Sequence, residues 1–347
     1  MFLRPAFFIT KNNEMLKKHL ILHKTKGLSE TEWQALRKSF ATRGMIGGSD
    51  AGTLLGFNKW KSPISLYYQS LDLSPIPNKM NMEMLMGKLQ EANIAESWQY
   101  YSEDQEQFIS NVITKTRVRR YREIKAIIEN PKYPLLFANI DGLITKHPER
   151  KKKGILEIKK INGVTVDSYV GGLPPQYIAQ VQHYMLVCEL PYAELCMRVD
   201  GKELKVHMIE EDKFLQQAIL HYADDFNQRV MSARSAISNN GSADMDTCFQ
   251  IASEFEPDAD GSEDFNAFIS EKHRLRESEN QITLGLEEQS IAEKYMKAQG
   301  RIKEAEADKL LHGNVLKQIM EKNNASVMNL PDGKITWRKQ FLVKLNK

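Results

Sequence analysis

Cysteine is scarce. The 347-residue chain has three, and Cys188, Cys196 and Cys248 are spread too widely for a C-x-x-C pair. That excludes an iron–sulfur set and a disulfide framework, and makes a reducing cytosol the simplest setting. No run of about 18 apolar residues occurs, so no membrane span is expected. The opening FLRPAFFIT is apolar, but KNNE interrupts it too early for a secretory signal. Charge of one sign is not in excess either: the formal net charge is +3. With 41% apolar and 27% charged residues, the chain has an ordinary globular composition. Its length suits one large domain or two ordinary ones.

The modest net charge hides local bias. Arg117, Arg119, Arg120, Arg122 and Lys125 crowd one segment, and Arg150, Lys151, Lys152 and Lys153 another. The C-terminal KITWRKQFLVKLNK carries five basic residues and no acid, whereas acids gather between Asp244 and Asp264. Such clusters suggest a local track for a polyanion rather than a uniformly sticky surface.

Ser29 and Glu32 read as a capping box, opening a helix to about Phe40. Arg43 to Asp50 reads as a turn opening a short helix that ends near Gly56, and Ser62-Pro63 as the cap and first residue of another. Met82 to about Tyr101 carries an apolar stripe at helical spacing. Residues 108–145 read as strands. FANIDGLIT and GILEIKKI form a hairpin with the basic tip KHPERKKKG. A helix covers Gln176 to Cys188, a second hairpin turns at Asp200-Gly201, and a closing helix runs from Glu211 to about Ala236. The organisation expected is a core over 1–236 with its first 28 or so residues peripheral, then an acidic polar linker over 237–264. Residues 265–347 read as an accessory arm: an antiparallel helical hairpin ending in a small basic β-hairpin with Trp337.

The chemistry concentrates in the first hairpin. In ILEIKK, Glu157 and Lys159 lie on one face of a strand and Ile158 on the other. Taken alone, they form an ordinary ion pair on a solvated sheet face. Asp141, however, interrupts an apolar run on the partner strand, where a charge is costly unless paired or bound to a cation. Two carboxylates held together repel, and a divalent cation relieves this. Magnesium suits hard oxygen ligands.

Asp141 followed by Glu157-x-Lys159 resembles the PD-(D/E)XK nuclease signature. Glu91 in GKLQE, the glutamines of QYIAQVQHY, and the opening Trp33, Arg43 and IGGSDAGTLLG complete a motif order. That order resembles the lambda exonuclease-like branch and its YqaJ-like viral recombinase family, over roughly residues 29–230. The resemblance implies a restriction-endonuclease-like α/β core, a central mixed sheet flanked by helices. It implies Mg²⁺-dependent hydrolysis of DNA, with Mn²⁺ as a substitute. Glu91, Asp141 and Glu157 would be the acidic metal-site residues, joined by the Ile158 carbonyl. Lys159 would activate water, and Gln180 would position it. Arg43 and Ser49 would hold a 5′ phosphate. Trp60 can stack on a base, although a core position suits it better, and Lys151 and Lys152 belong to the DNA-facing basic tip. His183, beside the glutamines, reads as a structural histidine.

The function expected is a phage-type exonuclease in a bacterial cytoplasm, resecting one strand of linear duplex DNA 5′ to 3′. Its partners would be duplex DNA with free ends, a single-strand annealing protein and further copies in a ring. An endonuclease or nickase on the same fold, and a non-catalytic DNA-binding recombination factor, are the rival readings.

Overall fold

The computed structural model describes residues 16–76, 81–169, 171, 173–241, 244–276, 281–331, 333–337 and 343–346. The FLRPAFFIT opening, Gly172, and residues 338–342 and 347 of the basic tail lie outside that set.

Two compact units make up the chain, residues 1–277 and 278–347. The first begins with strand β1 (Ile21–Lys24) and helix α1 (Glu30–Ala41), whose Ser29–Glu32 capping box is present. Strand β2 (Ile46–Gly47) leads into α2 (Gly48–Leu54), followed by α3 (Pro63–Leu71), α4 (Met82–Tyr100) and α5 (Gln105–Ile113). Then come β3 (Arg120–Arg122), β4 (Ala126–Glu129), β5 (Leu136–Ala138), β6 (Gly142–Lys146) and β7 (Gly154–Ile161). Helices α6 (Gly163–Asp167) and α7 (Pro175–Cys188) precede β8 (Tyr192–Val199) and β9 (Glu203–Glu210). Helices α8 (Lys213–Asn240), α9 (Met245–Ser253) and α10 (Glu263–Arg276) close the unit.

The expected α/β class with a mixed sheet flanked by helices is what the chain forms. Five strands run in the order β3-β6-β7-β8-β9, with β7 and β8 parallel and the other pairs antiparallel. A second sheet runs β1-β4-β5-β2. Both expected hairpins form, and Asp200 and Gly201 take the positive φ that their tight turn requires. Strand alternation divides the core. Ile155 and Ile161 of β7 join the large cluster with α7, while Leu156 and Ile158 pack with Ile94 and Trp98 of α4.

Several expectations give way. FANIDGLIT is not one strand: β5 and β6 belong to different sheets, and Asn139–Asp141 bridges them. Residues 108–113 lie in α5, started by the Asp104 carboxylate accepting from Gln107 N–H at 2.7 Å. The described part of the N-terminal segment, from Leu16 on, is not peripheral, since β1 pairs with β4 and Leu16 and Leu20 are core residues; residues 1–15 lie outside the described set. Residues 237–264 are no linker. Phe249 is buried, and the Asp260 and Asp264 carboxylates accept from the Ser62 hydroxyl (2.7 Å) and amide (2.8 Å).

Of the arm expected over 265–347, α10 (Glu263–Arg276) falls in the first unit, and the described residues of the second unit hold α11 (Leu286–Lys322). It is followed by an antiparallel sheet of β10 (Val327–Leu330), β11 (Gly333–Trp337) and β12 (Val343–Asn346).

Candidate active site

Glu157 and Lys159 share the face of β7 that looks toward α7. Glu157 is 1% exposed. Its Oε1 accepts from Lys159 Nζ at 2.5 Å and from Gln180 Nε2 at 2.7 Å. The same Gln180 nitrogen donates to the Tyr184 hydroxyl at 3.0 Å. Tyr177 places its ring 5.3 Å from the Lys159 ammonium. Three residues of the QYIAQVQHY helix therefore surround the E-x-K pair, as their 3–4 spacing allows.

Asp141 sits just before β6, in the bridge between the two sheets. Pairing of β6 with β7 reaches only Gly142↔Leu156. Ile158 lies beyond that ladder, and its free N–H donates to Asp141 Oδ2 at 2.8 Å. The Asp141 carboxyl also meets those of Glu157 and Glu91, the latter from α4. Glu157 Oε2 is buried and has no donor. Carboxyl oxygens facing one another without a donor need either a proton or a cation between them.

Electrostatics reflect this. Burial, then the Asp141 charge, raises Glu157 to about 8. The same two causes raise Glu91 to about 7. Burial raises Asp141 against the pull of Lys159 and the Ile158 N–H. Lys159 moves up: burial opposes its charge, but Glu157 and Asp141 outweigh burial. Lys159 is therefore a firmly held cation.

Helix α2 supplies the opposite wall. A Cβ on Gly48 would lie 2.2 Å from the Tyr184 ring, and one on Gly52 would lie 2.8 Å from Gln176. Glycine at these positions lets α2 lie against α7. That contact carries Ser49 over the site, where its hydroxyl accepts from Arg37 Nη2 at 3.0 Å. Trp33, one turn before Arg37 on α1, lies 5.5 Å from the guanidinium. Trp33, Arg37, Ser49, Asp141, Glu157, Lys159, Gln180 and Tyr184 all line one cavity of about 160 Å³. This is room enough for a phosphate group.

The remaining site expectations fare differently. Arg43 is not in the cavity; its guanidinium pairs with Glu129 Oε1 at 3.0 Å and lies over Phe40. Arg37 occupies the place expected for it. A signal was available, because Trp33-x-x-x-Arg37 puts both side chains on one helix face. Trp60 is 76% exposed, so it is not core, and it does not line the cavity. Lys151 and Lys152 are exposed on the β6–β7 turn. His183 is buried and hydrogen-bonds the Phe137 carbonyl through Nε2 at 2.9 Å. Burial pushes it down to about 4, which fits a neutral structural histidine.

Among the described residues no group of three His, Cys, Asp or Glu side chains is set out as a ready metal cage. The reason is visible: Lys159 and Gln180 occupy Glu157 Oε1, and the Ile158 N–H occupies Asp141 Oδ2. The donor set still fits a hard divalent cation, because Glu157 Oε2 is orphaned against two further carboxyls.

A mixed sheet presenting clustered carboxylates, a lysine and an arginine to one cavity defines a candidate phosphate-handling site. Residues 32–191 match the family model of the YqaJ-like viral recombinase domain. The family resemblance of the motifs is borne out. An uncharacterized protein YqaJ of Bacillus subtilis (strain 168) is 28% identical over 231 residues. The match covers 65% of this chain and 65% of that protein, so it spans less than two thirds of the relative's length. An alkaline exonuclease from Laribacter hongkongensis is similar with a TM-score of 0.43 and 18% identity, over 59% of this chain and 97% of that one. A phage related exonuclease from Haemophilus somnus 129PT has a TM-score of 0.35 and 12% identity, over 54% and 95%.

Proposed function

We propose that this protein is a Mg²⁺-dependent DNA exonuclease of phage recombination type. It hydrolyses one strand of linear duplex DNA 5′ to 3′ and exposes single strand for an annealing protein in a bacterial cytoplasm. The observation that carries the reading is the orphaned Glu157 Oε2 among carboxyls, beside Lys159 and opposite Arg37–Ser49, in one phosphate-sized cavity. The recombinase family of residues 32–191 supports the same direction.

Asp141, Glu157, Glu91 and the Ile158 carbonyl would hold Mg²⁺, or Mn²⁺ in its place. Such a cation acidifies water and offsets phosphate charge. Lys159, held as a cation, suits charge growing on the phosphorane. Activating water would require a lowered pKa, opposite to the direction found. Gln180 fixes the Glu157 carboxylate and the Tyr184 hydroxyl. Arg37 and Ser49 would take a terminal 5′ phosphate, since a guanidinium and a hydroxyl both donate to phosphate oxygens. Lys151, Lys152 and Trp60 would contact the duplex further out.

The test is end-labelled linear duplex against closed circular DNA, each with and without Mg²⁺. Loss of linear duplex alone, and only with Mg²⁺, is expected. Cutting of the circle makes the protein an endonuclease or nickase, and binding without cleavage makes it a recombination factor.

A further inference from the structure

Helix α4 brings Glu91 to the cluster of carboxyls, yet its buried residues all lie further along the chain. They are Ile94, Ala95, Trp98 and Gln99, and Ile94 and Trp98 pack with Leu156 and Ile158 of β7. Glu91 and Trp98 are seven residues apart, about 10 Å along the axis and about 20° short of two full turns. They share one face, so the placement of Trp98 fixes that of Glu91. Apolar packing by itself is non-directional and would let the helix slide or roll. Polar contacts remove that freedom. The Trp98 indole Nε1–H donates to Glu194 Oε2 of β8 at 2.9 Å, and Glu194 is 2% exposed. Two other segments hold the same carboxylate. His147, just after β6, places Nε2 3.1 Å from Glu194 Oε1. Its Nδ1 accepts from the Glu149 N–H at 3.1 Å, so Nε2 carries the proton and donates. Arg119, just before β3, supplies the opposite charge with Nε 3.4 Å from Glu194 Oε2, and also donates to the Tyr101 carbonyl at the end of α4. Further along β8, Arg198 donates to Asn93 Oδ1 at 2.6 Å and to Ser97 Oγ at 2.9 Å, both on α4.

We propose that Glu194 is a positioning residue for the carboxyl cluster: through Trp98 it sets the axial and rotational place of α4, and so holds the Glu91 carboxyl against Asp141. The proposal rests on the reading of those carboxyls as a Mg²⁺ site. Glu194 is no ligand itself. It stands opposite Leu156 in the β7–β8 register, on the α4 face of the sheet, whereas Glu157 and Lys159 share the α7 face. A buried ionic group is a weak source of stability, because an apolar set of the same shape serves as well. What it supplies here is direction, since a hydrogen bond keeps its length within a few tenths of an ångström.

The test uses the full chain, cation-free at the start. Trp98→Phe keeps an aromatic ring and removes the N–H, leaving Glu194 with Arg119 and His147. Glu194→Gln keeps the indole and removes the carboxylate. Each should weaken Mg²⁺ binding in calorimetry about tenfold, the loss that missing outer support brings to a metal site. Independent changes this far apart add. Acting through Glu91 they should not: in a Glu91→Gln background, Trp98→Phe should alter Mg²⁺ affinity less than about twofold. Crystals of cation-free Trp98→Phe should show the Glu91 carboxyl moved away from Asp141. An unchanged affinity in Trp98→Phe, or a tenfold loss that persists in the Glu91→Gln background, overturns the proposal and leaves Glu194 a group that only stabilises the fold. A parent without Mg²⁺ binding defeats the metal reading and not the positioning, which the crystals decide by themselves: a Glu91 carboxyl still against Asp141 in Trp98→Phe overturns it.

Discussion

Replacing Glu157 by glutamine should make the cation-free protein more tolerant of alkaline pH. A carboxyl whose folded pKa lies above its unfolded value binds its proton more tightly in the folded chain. Stability is then greatest below the unfolded pKa and falls as pH rises toward the folded one. Glu157 is raised from 4.5 to about 8 and Glu91 to about 7, so the loss runs from about pH 4.5 to 8. A tenfold difference in proton affinity between the folded and unfolded chain is worth about 1.4 kcal/mol. Coupling within the cluster limits the total to a few kcal/mol, or roughly 5–10 °C in melting temperature for a domain of this size. Glu157→Gln removes the larger of the two effects, and its amide can still accept from Lys159. Melting curves of parent and variant between pH 5 and 8.5, without divalent ions, should show the parent's decline shrinking in the variant. Mg²⁺ should then stabilise the parent at pH 8 by about 3 kcal/mol at a hundredfold excess over Kd, and little at pH 5, where protons hold the site. Parallel pH profiles for parent and variant, or an equal Mg²⁺ effect at both pH values, would mean that the raised carboxyls do not govern this stability.

Arg37→Ala should slow cleavage of 5′-phosphorylated ends about 10- to 100-fold, as expected for losing a charge-assisted contact of about 1.5–3 kcal/mol, and barely alter 5′-hydroxyl ends. Arg43→Ala removes an exposed ion pair and should change stability by less than about 1 kcal/mol with cleavage kept; the reverse ranking in single-turnover rates rejects the placement of Arg37. Lys159→Ala should lower single-turnover cleavage about 10²–10³-fold while calorimetry still finds Mg²⁺ binding; early melting with the parent rate would return the residue to a plain ion pair. Gly48→Ala drives a methyl into the Tyr184 ring, and should cost about 1–3 kcal/mol of stability, read by urea unfolding; unchanged stability and activity would mean that α2 need not lie against α7.

What the sequence made legible was local. The hairpin bearing Glu157 and Lys159 shows in period-two alternation, and the α1 capping box in four residues. The helix with Gln180 shows in its 3–4 spacing. What it concealed depends on distant partners. Arg37 meets the site through its hydrogen bond to Ser49 of α2, twelve residues on, whereas Arg43 sits nearer in sequence and turns to Glu129. The polar stretch 237–264 resembles a linker until Ser62 is seen satisfying Asp260 and Asp264. Asp141 reads as a mid-strand charge because nothing local marks the change of sheet after Ala138. The arm's helix formers run unbroken from Leu286 to Lys322, after the non-helical residues 281–285.

If the carboxylates around Asp141 hydrolyse DNA, single-turnover cleavage of a 5′-phosphorylated linear duplex in Mg²⁺ should separate the parent from Asp141→Ala, with DNA binding and melting measured on the same preparations. Asp141→Ala should stay folded, bind the duplex as the parent does and leave it intact; degradation at the parent's rate would place hydrolysis elsewhere.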